Sequence, residues 1–358
     1  MMAKKILVVD DSALMRRVLC DIIDSDERFQ VEDRAVNGLE ALDLLSRKSY
    51  DAVVLDVNMP QMNGLELLRE LQKRKISARV MMASTDTKEG AKTTLDALEL
   101  GALDFIHKPN NAMDCRTDVF KDRLLRMLAI VSDSKTPSIG KAFTMDELKT
   151  SKKMVELVSR HASEVAGNRI VALASSTGGP KALQSVVPRL PKNLKAPVVI
   201  VQHMPAGFTA SLAERLDSLS EVRVKEAAEG DVLEAGTVYI AMGGKHLNVQ
   251  TSTGKYSIHY TDQPTREGVR PCANYMYESL MDSRYDQIVC VVLTGMGADG
   301  TEGIKHLKEK KKIHVIAQEA STCAVYGMPR SVVNASLADQ VVPLDQIAQE
   351  IIMNVGVK

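Results

Sequence analysis

The sequence has no excess of either charge: 46 lysines and arginines stand against 46 aspartates and glutamates, so no global field favours nucleic acid or an anionic membrane surface. Any charged partner has to be recognised locally. Cysteine is scarce, and the five present (Cys20, Cys115, Cys272, Cys290 and Cys323) are odd in number and widely spaced, which argues against a disulfide framework and against a zinc site. No apolar run is long enough to cross a bilayer, and Met-Met-Ala-Lys-Lys leads into a short β-like run without a signal-peptide core. A soluble, unexported protein of the reducing cytoplasm is expected. The nucleophile-elbow pattern G-x-S-x-G is also missing, so an ordinary α/β-hydrolase is not supported. At 358 residues the chain is too long for one core of usual size, and two domains are expected.

The first half alternates regularly. Lys4 to Val9 is an apolar, β-branched run that ends in Asp10-Asp11-Ser12, and Leu14, Val18, Leu19 and Ile22 follow at helical spacing. Further strand and helix signals continue to a last helix from about Cys115 to Val131, and five such units imply a doubly wound parallel sheet. In that fold the site lies beyond the carboxyl ends of the strands, where Asp10, Asp11, Asp56, Ser84 and Lys108 fall. Crowded carboxylates need a compensating cation, and an all-oxygen set suits Mg²⁺. Singly, each aspartate could equally cap a helix or a turn.

Val-Val-Asp-Asp-Ser, Val-Val-Leu-Asp-Val-Asn-Met-Pro-Gln-Met-Asn-Gly, Ala-Ser-Thr and Asp-Phe-Ile-His-Lys-Pro together resemble the receiver domain of two-component response regulators, over residues 1–122. The resemblance implies a flavodoxin-like fold in which a histidine kinase phosphorylates Asp56. It further implies that Asp10, Asp11 and Asp56 hold Mg²⁺, that Lys108 contacts the acyl phosphate, and that Ser84 and Phe105 report it.

Residues 123–166 read as an interdomain linker, polar with turn formers from Ser132 and with a short helix between Met145 and Val165. His161 within it reads as a solvated surface residue.

From residue 167 to 358 strand and helix signals resume, giving a second doubly wound α/β domain with a β-hairpin insert between Val232 and Tyr260. The run Arg169 to Ala174 breaks into Ser175-Ser176-Thr177-Gly178-Gly179-Pro180 and a helix-like segment. Such a turn would expose a serine hydroxyl beside free N–H groups of the new helix, although a phosphate- or carboxylate-binding glycine turn explains the motif equally well. A nucleophilic serine needs a base. His259, His306 and His314 fall in strand or helix patterns, whereas His203 follows the buried run Pro197 to Gln202 and shares the edge that presents the serines; His246, in a glycine turn, is its rival. Asp299, in a glycine loop after Cys290 to Leu293, could orient that base or could merely cap a helix.

Ser-Thr-Gly-Gly, Gln-His-Met-Pro-Ala-Gly-Phe and Leu-Thr-Gly-Met-Gly-Ala-Asp-Gly, in this order behind a receiver, resemble the catalytic domain of the CheB family of chemotaxis protein-glutamate methylesterases. The resemblance implies Ser176 as nucleophile, His203 as base and Asp299 as its orienter, with Thr177 and Met296 beside the oxyanion site. It implies hydrolysis of glutamate methyl esters on methyl-accepting chemotaxis receptors, and glutamine deamidation, with no cofactor for the hydrolysis. It also implies that the unphosphorylated receiver limits access to these loops. Two departures stand out. Ser175 occupies a place where the family usually has alanine, and Arg270-Pro-Cys-Ala-Asn274 replaces Arg-Pro-Ser-Val-Asp. A DNA-binding output domain would need a basic recognition helix, which is missing, and a non-catalytic ligand-binding module leaves His203 and Asp299 unexplained.

Overall fold

A computed structural model describes residues 3–85, 88–109, 114–134, 167–252 and 254–357. The chain divides into two compact units, Met1–Ala142 and Phe143–Lys358. The expected helix between Met145 and Val165, and His161 with it, lie outside the described residues.

In the first unit the strands are β1 (Lys4–Val9), β2 (Phe29–Ala35), β3 (Ala52–Asp56), β4 (Val80–Thr85) and β5 (Asp104–Lys108), in the order β2-β1-β3-β4-β5. All pairings are parallel, and helices α1 (Ala13–Asp24), α2 (Gly38–Arg47), α3 (Gly64–Arg74), α4 (Lys88–Glu99) and α5 (Asp118–Asp133) make the crossovers and cover the sheet. Ile6 to Val9 and Ala52 to Leu55 are buried on both faces, which is why these strands read as continuous apolar runs without alternation. The chain order reverses between β1 and β3, so a crevice opens at their carboxyl ends, and Asp10 and Asp56 stand there. The receiver boundary at residue 122 falls inside α5: Leu124, Leu125, Leu128 and Val131 are buried, so the helix belongs to the first unit through Asp133.

The second unit is built on seven parallel strands: β6 (Arg169–Ser175), β7 (Val198–Gln202), β8 (Arg223–Glu226), β9 (Thr237–Ile240), β12 (Gln287–Val292), β13 (Ile313–Gln318) and β14 (Gln340–Val342). Their order is β14-β13-β12-β6-β7-β9-β8, with the direction reversing between β6 and β12. The carboxyl ends of β6, β7 and β12 lie side by side and lead into the turns that carry Ser176, His203 and Asp299. Helices α6 (Gly179–Val186), α7 (Phe208–Leu219), α8 (Ala273–Ser279), α9 (Thr301–Lys310), α10 (Met328–Asn334) and α11 (Ile347–Val355) cover it. Tyr277 of α8 is fully buried, and its hydroxyl donates to the Val291 carbonyl at 3.0 Å, seating α8 over β12.

The hairpin insert is smaller than expected. Among the described residues of the insert, β10 (His246–Ser252) and β11 (Lys255–Thr261) form the antiparallel hairpin, with Val232 bridging antiparallel to Ser257, whereas β9 joins the parallel sheet between β7 and β8. All of Thr237 to Ile240 is buried, which a hairpin with one wet face could not provide.

Candidate functional site

In the first unit, Asp10 and Asp56 are buried while Asp11 is exposed, and one carboxylate oxygen from each lies within 4.8 Å of the others. Ser12 caps α1 by accepting from Met15 N–H, and Asp10 accepts from Ser12 N–H, so capping alone does not explain two adjacent aspartates. Buried Lys108 donates to Asp10 Oδ2 at 2.9 Å and to Asp56 Oδ1 at 2.5 Å. Burial pushes the Asp56 carboxyl above the usual aspartate range despite the opposing pull of Lys108. Burial acts the other way on Lys108, but Asp56 and Asp10 outweigh it and hold the ammonium above its ordinary value. One lysine cannot balance three carboxylates, so the donor set fits a small, hard divalent cation. Ser84, one residue beyond the β4 partner of Asp56, is buried and its Oγ accepts from Thr94 Oγ1 at 2.8 Å; Phe105 is buried on β5.

In the second unit His203 Nε2 lies 2.7 Å from Asp299 Oδ2. Asp299 is 2 % exposed and accepts three further bonds: Ala273 N–H at 2.6 Å, Asn274 N–H at 3.0 Å and the Cys272 thiol at 3.0 Å. Burial acts to raise its carboxyl, but the bonds from His203, Cys272 and Ala273 prevail and hold it below the ordinary aspartate range. An ionised Asp299 places the ring proton on Nε2 and leaves Nδ1 as the acceptor. Because the folded carboxyl is depressed, its contribution to stability is present above the ordinary value and is lost as pH falls through the folded one.

The two serines differ in surroundings. Ser175 is fully buried, and its hydroxyl donates to Gln202 Oε1 at 2.7 Å, whereas Ser176 is only partly buried in the turn leaving β6. Ser176 N–H donates to the Thr294 carbonyl at 3.0 Å, which ties this turn to the loop after β12. Thr177 is buried, and its carbonyl accepts from Thr294 Oγ1 at 3.0 Å; Met296 is 41 % exposed next to Gly295. The start of α6 offers fewer amides than expected. Gly179 N–H is spent on the Ser176 carbonyl at 2.7 Å, and Pro180 has no N–H.

His246 is not part of this constellation. It is fully buried with its ring edge-on to Tyr275, and among the described residues neither ring nitrogen makes a well-formed hydrogen bond. His259, His306 and His314 bond Glu229, Glu278 and Gln340 instead.

Sequence reading missed the groups that support Asp299. Burial pushes the Cys272 thiol up, with Asp299 adding to the effect, so it stays protonated and can donate. Asn274, from the start of α8, accepts from Gly300 N–H at 3.1 Å and Gly303 N–H at 2.7 Å, capping α9 from outside because Gly300 has no side chain to do so. Asn274→Ala is therefore expected to cost about 1–3 kcal/mol and to lower turnover through the loosened Asp299 loop. Urea midpoints together with ester-hydrolysis rates check this; an unchanged midpoint would show the cap to be dispensable. Thr294, which ties down the turn carrying Ser176, is a further support that sequence reading missed.

Gly295 packs directly against the Ser176 turn. A Cβ there would meet Met328 Sδ and come within 2.8 Å of Ser176 Cβ. Gly295→Ala is expected to displace the Ser176 turn and to slow hydrolysis by about 10²-fold with little change in KM. Steady-state kinetics on folded protein test it, and full activity would mean that the turn absorbs the methyl group.

Comparison with known proteins bears on both sites. The family described as CheB methylesterase matches residues 171–351, and the response regulator receiver domain family matches residues 6–119. The protein-glutamate methylesterase/protein-glutamine glutaminase of Geobacillus kaustophilus is 41 % identical over 355 residues, covering 98 % of this chain and 99 % of the relative. Its counterpart in Pyrococcus horikoshii is 41 % identical over 354 residues, covering 99 % of this chain and 94 % of the relative. The crystal structure of the Thermotoga maritima CheB methylesterase catalytic domain matches with a TM-score of 0.50 at 44 % identity, over 52 % of this chain and 98 % of that one. With like domains in the same order along nearly the whole length, the chain belongs to the CheB methylesterase family and carries a response-regulator receiver ahead of its hydrolase domain.

Proposed function

We propose that the protein hydrolyses glutamate methyl esters on methyl-accepting chemotaxis receptors, and deamidates receptor glutamines, under control of receiver phosphorylation by a histidine kinase. The observation that carries this is the buried His203–Asp299 pair beside the turn that presents Ser176. Ser176 Oγ attacks the ester carbonyl while His203 Nδ1 takes its proton, and ionised Asp299 stabilises the resulting imidazolium. Thr177 and Met296 border the position where the tetrahedral oxyanion develops. His203 returns the proton to the leaving group, releasing methanol from an ester or ammonia from an amide, and water then cleaves the acyl-serine by the same steps in reverse. In this scheme the hydrolysis needs no metal.

In the receiver, Asp56 takes the phosphoryl group, and Asp10, Asp11 and Asp56 would hold Mg²⁺, which when bound neutralises charge on the incoming group. Lys108 supplies a fixed positive charge at the same place, and Ser84 and Phe105 are the switch residues. The reading places the protein in the cytoplasm, in keeping with five unpaired cysteines and with no described helix long and apolar enough to cross a membrane.

Methanol release from carboxyl-methylated receptor tests the reading, and no release would reject it. The control by phosphorylation is tested by comparing full-length protein, with and without acetyl phosphate and Mg²⁺, against a fragment beginning near Met145. The fragment is expected to exceed the unphosphorylated full-length protein; a fragment no faster would mean that the receiver stimulates or targets the enzyme and does not restrain it.

A further inference from the structure

We infer that Gln202 is a positioning residue that fixes the spacing between nucleophile and base, with the Ser175 hydroxyl locking its amide in place. The inference rests on the reading of Ser176 and His203 given above. Gln202 is the last residue of β7, 1 % exposed, and its side chain crosses to the turn after β6. Its Nε2 donates to the Ser176 carbonyl at 3.0 Å and to the His203 carbonyl at 3.2 Å. One amide nitrogen thus holds the main chain of both residues. Its Oε1 accepts from Ser175 Oγ at 2.7 Å.

This arrangement has a physical rationale. The β6–β7 ladder runs out at the pair Ser175 and Gln202, where His203 N–H still donates to the Ser175 carbonyl at 3.1 Å. Beyond that rung regular pairing no longer ties the two turns together, and a buried side chain with two N–H groups does so. A primary amide could face either way, but the Ser176 and His203 carbonyls can only accept, so Nε2 faces them, and the Ser175 hydroxyl, able to donate or accept, gives its proton to Oε1 and completes the arrangement. Room for the amide comes from Gly179, since a Cβ there would run into Gln202 Oε1. A displacement of about 1 Å between reacting groups costs on the order of 10²-fold in rate, so a clamp on both backbones acts on turnover as well as on stability.

Gln202→Met fills similar volume and removes all three bonds, while Gln202→Glu keeps an acceptor for Ser175 and turns a carboxylate oxygen toward the two carbonyls. Each is expected to lower kcat about 10²-fold with KM within about twofold, and to slow labelling of Ser176 by a fluorophosphonate in parallel. Ser175→Ala is expected to lower kcat by about 3–10-fold, and adding it to Gln202→Met should cost little more, because both act through one amide. It carries the same test should the Gln202 variants fail to fold. A purely structural role would lower the urea midpoint and leave kcat and labelling of the folded enzyme unchanged. The inference is overturned if folded Gln202 variants keep kcat within about threefold of the parent, or if the Ser175 and Gln202 losses multiply. Hydrolysis that survives Ser176→Ala would instead fault the underlying reading of the site.

Discussion

Ser176→Ala is expected to lower methyl-ester hydrolysis by about 10⁴-fold or more, whereas Ser175→Ala should cost only severalfold. The difference follows from surroundings and not from residue type. Ser175 is fully buried and its proton is engaged by Gln202, so it cannot meet a substrate without breaking the clamp; Ser176 is partly exposed one residue further along, where the chain has left the strand. Since nucleophile and base act as a unit, His203→Ala should cost nearly as much as Ser176→Ala, and the double variant little more than either. Steady-state methanol release from methylated receptor, with urea denaturation to verify folding, provides the measurement. If Ser175→Ala were the inactive variant the nucleophile would have to be reassigned, and losses that multiply in the double variant would argue against a shared mechanism.

Asp56→Asn is expected to abolish phosphoryl uptake from acetyl phosphate while leaving basal ester hydrolysis intact. Asparagine nearly matches the shape of aspartate but offers a poor nucleophile and no formal charge. The fold should tolerate the change, because Lys108 keeps Asp10 at 2.9 Å and one of three crowded carboxylates is removed. Labelling of the parent protein should require Mg²⁺, and its ester hydrolysis should not respond to a chelator. Stoichiometric phosphate on Asp56→Asn protein would defeat the receiver assignment, and chelator-sensitive hydrolysis would defeat the metal-free scheme for Ser176.

Much of the architecture was legible because the central strands of a parallel sheet are buried on both faces and therefore appear as unbroken apolar runs such as Ile170 to Ala174 and Ile288 to Val292. The residues just after such runs, Asp10, Asp56, Ser176, His203 and Asp299, had to collect at the carboxyl edge whatever the details of packing. Local sequence was a poorer guide where an element's neighbours decide its fate. Thr237 to Ile240 looks like one arm of a hairpin and becomes an interior parallel strand, because β7 and β8 take up its two edges. The helix read from Cys115 to Val131 does form, as α5, but its burial through Leu124, Leu128 and Val131 carries the first unit past the boundary placed at residue 122.

Sequence by itself determined the two α/β domains and put the receiver's carboxylates and lysine, and the candidate serines, histidine and aspartate of the second domain, at strand ends, while the resemblance to the CheB family singled out Ser176, His203 and Asp299 among them. Tertiary structure alone decided which serine is exposed, that His203 and not His246 holds Asp299, and which ring nitrogen it uses to do so. It also revealed Cys272, Asn274, Thr294 and Gln202 as supports. The reason is one of range: a strand's burial is written in its own few residues, whereas a hydrogen bond from residue 303 to residue 274, or from 202 to 176, exists only once the folded sheet has set distant turns side by side.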